Sequence, residues 1–487
     1  MKLQNKVQLI TYPDSLGGNL KTLKAVIDKH YAGLFQGGIH ILPPFPSSGD
    51  RGYAPLTYSE IYPPFGTWDD IKSIGETHDI MLDFMVNHIS AKSKYFLDFL
   101  SKGRKSKYYD LFLTIDKVFP NGNPTDSELG EIVLRRDEPY SDFTIEETGE
   151  IERVWTTFGE TTPSEQVDLD INSETTKEFL RKYFRNFSDN NISIVRLDAI
   201  GYMVKKPGSS FFMVDPEIYE ILDWISDMAQ SYNIELLPEV HAHYTIQFKL
   251  AEKGYWIYDF ILPYMILESF YFRNGERLKK YLKERPSNQF TMLDCHDGLP
   301  IKPDLEDLVE ATDIKKVVNV CVERGANLSK ILSKNNQSED DFEVHQINAS
   351  FYSLLDYNDR AYISARAIQL FTPGIPQIYY VGLLAGENDY EAVKTGGGRG
   401  INRHDYSLEE IDNAVEENVV KRLIKLIKFR NDYPAFDGKF SLIETEPHII
   451  KMNWKNGISE CSLTVNLKNY EAFINYFSND NYVKEKL

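Results

Sequence analysis

Eight short apolar runs recur along this chain of 487 residues. They are VQLITY (7–12), GIHILPP (38–44), IMLDFMVNH (80–88), ISIVRLDAI (192–200), IELLPEV (234–240), WIYDFILP (256–263), QFTMLDCHD (289–297) and GIPQIYYVG (374–382). They read as apolar on both faces, with helix-like stretches between them. Strands buried on both faces belong to a parallel sheet covered by helices. Eight such units predict an α/β fold, a closed (β/α)8 TIM barrel rather than an open sheet. The spacing is uneven. Residues 89–191 hold aromatic and polar segments such as YYDLFLT and RVWTTFG, and a second wide gap follows the seventh run. Past residue 430 the pattern changes to KFSLIE, HIIKMNW and CSLTVNL, short pieces with strand character. The expected organisation is a barrel from 1–86, 167–297 and 361–429. Inserted subdomains lie at 87–166, after the third strand, and at 298–360, after the seventh. A small C-terminal β domain covers 430–487.

Hydrophobic residues make up 42% of the chain, enough for a sizeable core. Basic residues number 54 and acidic ones 73, a net charge of −19. This argues against a nucleic-acid partner, which needs a basic face. An anionic substrate would have to be drawn in by a local cationic cluster, against the overall field. The three cysteines, Cys295, Cys321 and Cys461, form no CxxC pair. That spacing argues against a disulfide framework or a zinc site and fits a reducing cytosol. The start, MKLQNKVQLITYPDS, is too polar for a signal peptide, and no apolar run reaches the length of about 18 residues that spans a bilayer. A cytoplasmic protein without a membrane partner is expected.

In a barrel, catalytic groups gather where strands end and the following loops begin. The third run ends in Asn87–His88, and the fourth carries Arg196 and Asp198. The fifth ends in Glu239 with His241 close behind, and the seventh in His296–Asp297. An unpaired charge inside an apolar strand is costly. Side chains alternate along a strand, so Arg196 and Asp198 point the same way. With Val195, Leu197 and Ala199 facing outer helices, the pair faces the barrel axis. There Arg196 neutralises Asp198, keeps it ionised and orients it. An ionised carboxylate suits a glycosidic nucleophile, and a second carboxyl of raised pKa must protonate the leaving oxygen. Glu239 suits that second part, and Asp297 is a third carboxylate for holding sugar hydroxyls. Taken singly, such groups are as readily structural ion pairs. Their convergence on one barrel face is what points to chemistry.

Four of these segments, DFMVNH (83–88), VRLDAIGY (195–202), PEVH (238–241) and LDCHD (293–297), resemble the motifs of the α-amylase superfamily, glycoside hydrolase family 13, in the same order. Within it the chain is most similar to the sucrose phosphorylase group. NKVQLITYPDSLG, GIHILPPFPSSGDRGYAP, FGTWDDI, FFMVDPEIYE, ARAIQLFTPGIPQIYYVGLLAGEND and GRGINRH carry that likeness nearly end to end. The resemblance implies that Asp198 is the nucleophile, Glu239 the acid/base and Asp297 the transition-state stabiliser. Asp50, Tyr53, His88, Arg196, His296 and Arg399 match positions that grip a glucosyl unit. Gln166, Tyr202 and Gln346 match positions lining the site. The group needs neither metal nor organic cofactor. The implied reaction is a double displacement through a β-glucosyl enzyme, with phosphate as second nucleophile and α-glucose 1-phosphate as product. Such a mechanism calls for about 5 Å between the carboxyls of Asp198 and Glu239.

Three positions depart from the pattern of enzymes acting on free sucrose. His345, in EVHQIN, and Val133, in EIVLRRDEPY, each stand where that pattern has Tyr, and Asp405, in NRHDY, stands where it has a second Tyr. A histidine near Arg135 and Arg136 would make a cationic acceptor pocket. A phosphomonoester carries close to two negative charges, which Arg matches bidentately and His with a further donor. FTIEETGEIERVWTTFG (143–159) and NQFTMLDCHDGLPIKPDL (288–305) also resemble the subgroup acting on sucrose 6′-phosphate. The expected substrates are therefore sucrose 6′-phosphate and inorganic phosphate. Phosphorylases for sucrose, glucosylglycerol or glucosylglycerate are alternatives, and a retaining glucosidase or a non-catalytic amylase-like protein is a more distant one. Loops at 335–345 and 133–137 are expected to move between acceptors.

Overall fold

The structure, a computed structural model, describes residues 3–330, 344–478 and 481–487. Each of the eight apolar runs contains a strand. These are β1 (Gln8–Thr11), β2 (Gly38–Ile41), β3 (Ile80–Met85), β4 (Ile192–Asp198), β5 (Glu235–Pro238), β6 (Ile257–Asp259), β7 (Gln289–Thr291) and β8 (Ile375–Tyr379). The described residues divide into two compact units. The first, Ile41–Val240, contains β3, β4 and β5 as neighbouring parallel strands, with Asp83 opposite Arg196 and Leu197 opposite Pro238. The second, built from the N-terminal segment up to His40 and the chain from His241 onward, contains the parallel order β6-β7-β8-β1. Strands follow one another in chain order, and the last pairs with the first. That cyclic order is the strand sequence of the predicted (β/α)8 barrel.

The first unit shows why these runs become strands. All six residues of β3 are buried. In β4, Val195 and Leu197 are fully buried on the face opposite Arg196. The helix Glu174–Asp189 precedes β4, and the Ser173 side chain caps its start by accepting from the Thr175 amide. Phe179, Leu180, Tyr183, Phe184 and Phe187 recur at helical spacing and form its buried face. Phe184 and Phe187 meet Phe84 of β3 edge to face, at 5.5 and 5.4 Å between centroids. Burying each such ring stabilises the layer by roughly 1.5–3 kcal/mol.

The segment after β3 is a substructure of its own. A short strand, His88–Ser90, pairs antiparallel with Gln166–Asp168, and Tyr140–Thr144 forms a hairpin with Ile151–Trp155. Leu113, Val118, Phe119, Leu134, Trp155 and Phe211 belong to its buried cluster. After β7, Leu299–Pro300, Val344–Asn348 and Asn327–Lys330 form a three-stranded antiparallel sheet beside the helix Ala311–Glu323. The C-terminal meander has five antiparallel strands between Lys439 and Lys486, two more than the sequence pattern announces. All three cysteines are buried free thiols. Among the described residues, no helix is long and apolar enough to cross a membrane.

Candidate active site

Arg196 organises the first unit's share of the site. Its guanidinium is 3% exposed and reaches three carboxylates. It pairs with the fully buried Asp83, lies 2.9 Å from Asp198 Oδ1, and approaches Glu239 Oε1 to 3.8 Å. Burial opposes its charge, but Asp83, Tyr53, Glu239 and Asp198 outweigh that and push its pKa up. A permanently charged fork thus holds both carboxylates that the sequence singles out, which supports their short separation. The backbone bends immediately after Asp198. Ala199 has φ of 54°, a left-handed conformation that costs a residue with a Cβ, and its amide donates to Glu239 Oε2 at 3.3 Å. The strand therefore ends where Asp198 is presented, and the same turn ties it to Glu239.

Around this pair, the Tyr53 carbonyl accepts from both His88 Nε2 at 3.1 Å and Gln166 Nε2 at 3.2 Å. A carbonyl only accepts, so Nε2 of His88 carries the proton. Burial holds the His88 pKa below its ordinary value, which keeps the ring neutral. The Phe158 ring gathers His88 at 5.3 Å with two further predicted residues, Tyr202 at 5.1 Å and the Arg135 guanidinium at 5.9 Å. The side chain of Asp50 lies outside the described residues, as does the segment 331–343 that holds most of the acceptor loop expected to move.

Lys205 was not legible in the sequence. Its buried ammonium sits 2.6 Å from Asp168 Oδ2 and 2.8 Å from Asn87 Oδ1, and also donates to the Tyr202 carbonyl. It joins the end of the third run, the inserted segment and the turn after Asp198 in one knot. Arg136 corrects an expectation. Its guanidinium is buried against the Thr161 carbonyl (2.8 Å), the Phe158 carbonyl (3.3 Å) and the hydroxyls of Thr156 and Thr162. It buckles the 156–162 segment, and its donors are committed there. Val133 is 43% exposed.

In the second unit, Asp297 is held by two arginines and a histidine. Arg399 lies 2.9 Å from its Oδ1, Arg403 3.8 Å from the same atom, and His296 Nε2 3.5 Å from Oδ2. Arg403, which sequence reasoning missed, is buried, donates to the His296 carbonyl at 2.8 Å and lies over the Tyr12 ring. Arg399 also reaches Gln346 Oε1 at 3.5 Å. His345 is buried on the strand Val344–Asn348, so it is not the loop residue its context suggests. Its Nδ1 lies 2.7 Å from the Lys302 carbonyl, and its ring meets His241 edge on at 6.2 Å. Asp405 accepts from Ser15 Oγ at 2.6 Å. Cys295 points its thiol at the Asp297 carbonyl oxygen, 3.7 Å away, and takes no visible part in the chemistry.

The profile of the α-amylase catalytic domain matches residues 11–261. The sucrose 6(F)-phosphate phosphorylase of Thermoanaerobacterium thermosaccharolyticum is 59% identical over 98% of each chain. This chain belongs to the α-amylase family. The crystal structure of a sucrose 6F-phosphate phosphorylase from Thermoanaerobacter thermosaccharolyticum superposes with a TM-score of 0.98 at 58% identity, covering 100% of this chain and 99% of that one. The sucrose phosphorylase of Streptococcus mutans is 45% identical over 90% of this chain and 89% of its own. The α-amylase fold accounts for the strand order in each unit and for the carboxylates at strand ends. What sequence reasoning missed in this family member are partners: Asp83, Phe158, Lys205 and Arg403. Asp83 had a signal, since a carboxylate inside the run IMLDFM needs a buried cation as much as Arg196 needs an anion.

Proposed function

We propose that this protein transfers the glucosyl unit of sucrose 6′-phosphate to inorganic phosphate, releasing fructose 6-phosphate and forming α-D-glucose 1-phosphate with retention. It acts as a hexosyltransferase of the disaccharide phosphorylase type. The observation that carries this reading is the 59% identity, across nearly the whole of both chains, to a protein of that name. The buried His345, at the position that separates it from the free-sucrose pattern, supports it.

The chemistry follows from the carboxylates. Asp198, oriented by Arg196, attacks the anomeric carbon. Glu239 gives its proton to the bridging oxygen as the bond to fructose 6-phosphate breaks. A β-glucosyl ester on Asp198 results. An oxygen of inorganic phosphate then attacks the same carbon and Asp198 leaves, so two inversions restore the α configuration. Phosphate is already ionised and asks little of Glu239 as a base. Asp297, clamped by Arg399, takes the stabilising role that its motif implies, and no step calls for a metal or an organic cofactor. Arg135 and His345 are the groups we assign to the phosphate on the fructosyl part. The barrel boundaries at 1–86, 167–297 and 361–429 and a cytosolic setting belong to the same reading. For the latter, the argument is the buried Cys321 and Cys461, each held as an unreactive thiol with its pKa pushed up to about 12 by burial.

The test is phosphate-dependent release of glucose 1-phosphate from sucrose 6′-phosphate and from sucrose, measured side by side. A preference for the phosphorylated sugar of at least tenfold in kcat/KM is expected. Equal or better use of sucrose would make the protein a sucrose phosphorylase, the reading that the Streptococcus mutans relative favours.

A further inference from the structure

The three-residue stretch Lys302–Asp304 reaches two imidazoles of the second unit, those of His345 and His241. The Lys302 carbonyl lies 2.7 Å from Nδ1 of His345, and a carbonyl only accepts, so that nitrogen carries the proton. Asp304 Oδ1 lies 3.7 Å from Nδ1 of His241. The two rings meet edge on at 6.2 Å, and His241 is stacked on Phe260 at 4.0 Å, so the plane of His241 is held by stacking and the edge of His345 by its bond to Lys302. His345 sits in the same ladder, its own carbonyl accepting from the Ile301 amide at 2.9 Å.

Asp304 has no role in the mechanism above, yet its burial is complete. Its Oδ1 accepts from the buried Gln247 amide at 2.8 Å, while Oδ2 has no hydrogen-bond partner among the described residues. A buried carboxylate with one neutral donor is under-compensated, and the ionisable group the structure sets against it is His241. At that distance the carboxylate acts on the ring through its charge, which stabilises positive charge on the imidazole. His241 also lies within 4.8 Å of Asp297, measured between a ring nitrogen and a carboxylate oxygen, and follows Glu239 by two residues in the chain. Among the described residues of the second unit, the charged and titratable groups set around it are Asp304, Asp297 and His345.

We propose that Asp304 is a specificity-positioning residue: acting through His241, it supplies the imidazole pair His241–His345 with the positive charge that holds the phosphate of the phosphorylated leaving group. A neutral pair would leave an acceptor nitrogen on each ring to face a dianion, and so hold it poorly. One imidazolium turns that face into a donor. Free sucrose gains nothing from the charge, so Asp304 separates the two substrates without touching either. This rests on the substrate reading given above, and a wild-type enzyme with no preference for sucrose 6′-phosphate would overturn that reading before any variant is made.

The experiment is steady-state kinetics of Asp304→Asn on both sugars. Asn keeps the shape and an acceptor for Gln247 but removes the charge. The ratio of kcat/KM for sucrose 6′-phosphate to that for sucrose should fall at least tenfold, through KM for the phosphorylated sugar, with its kcat within threefold of wild type. His241→Gln should lower the ratio similarly, and the double variant should lose no more than either single one, as expected of two residues acting as a unit. Should Asp304→Asn fail to fold, Asp304→Glu and His241→Gln carry the test, with the ratio retained in the first and lost in the second. Equal losses on both sugars, or additive losses in the double variant, would reduce Asp304 to a scaffold residue and overturn the proposal.

Discussion

At the scale of single residues the decisive group is Arg196. A strand delivers it to a buried site where Asp83 compensates its charge, and its guanidinium still attracts Asp198 and Glu239. The division of labour between the two carboxylates can be separated by the leaving group. Glu239→Gln should lower kcat on sucrose 6′-phosphate by about 10²–10⁴, the usual worth of a positioned general acid. With α-glucosyl fluoride as donor, whose fluoride needs little proton to depart, the same variant should lose no more than about tenfold. Equal losses on both donors, read from glucose 1-phosphate formation, would remove Glu239 from the acid role.

At the scale of elements, the segment 389–410 presents Arg399 and Arg403 to Asp297, and it is latched by a histidine. His404 Nδ1 lies 2.6 Å from Asp389 Oδ2, and its Nε2 lies 3.1 Å from Glu410 Oε1. Asp389 caps the helix Tyr390–Gly396, and Glu410 closes the capping box of the helix Leu408–Ala414. Both ring nitrogens must donate, which requires the imidazolium. Burial works against the charge on His404, but the bonds to Asp389 and Glu410 more than offset it and raise the pKa. A raised folded-state value means stabilisation that is complete below the unfolded histidine pKa and lost as pH rises through the folded one. Wild type should therefore melt above His404→Gln at pH 6, and the gap should shrink by pH 9. A gap that widens with pH would have the wrong sign for this latch. The Lys205 knot is a latch of another kind, since Asp168 and Lys205 are both buried and each compensates the other.

The whole molecule carries a net charge of −19 and is asked to take up anions. Its far field repels a sugar phosphate, and under the proposed function cations local to the site must attract it. Screening separates the two ranges, because the Debye length falls from about 30 Å at 0.01 M salt to about 8 Å at 0.15 M. Far repulsion is screened first. kcat/KM for sucrose 6′-phosphate should accordingly rise over that range, while the value for uncharged sucrose stays flat at saturating phosphate. A monotonic fall would mean that local cations govern approach from the first encounter.

The sequence by itself determined the strands and the charged residues they carry. Apolar runs of the right length announce strands because burial on both faces is a local property of composition. Alternation within VRLD places Arg196 and Asp198 on one face for the same reason. The position of Glu239 and His296–Asp297 at run ends needs only the rule that loops follow strands. Only the tertiary structure decided the partners. That Asp83 faces Arg196 depends on the register between β3 and β4, more than 100 residues apart in the chain. The knot at Lys205, the burial of Arg136 donors in the 156–162 segment and the anchoring of His241 and His345 from Lys302–Asp304 depend likewise on chain crossings. Such pairings join side chains whose sequence neighbours are unremarkable, and charge compensation in a buried site is set by whatever the fold brings within a few ångström.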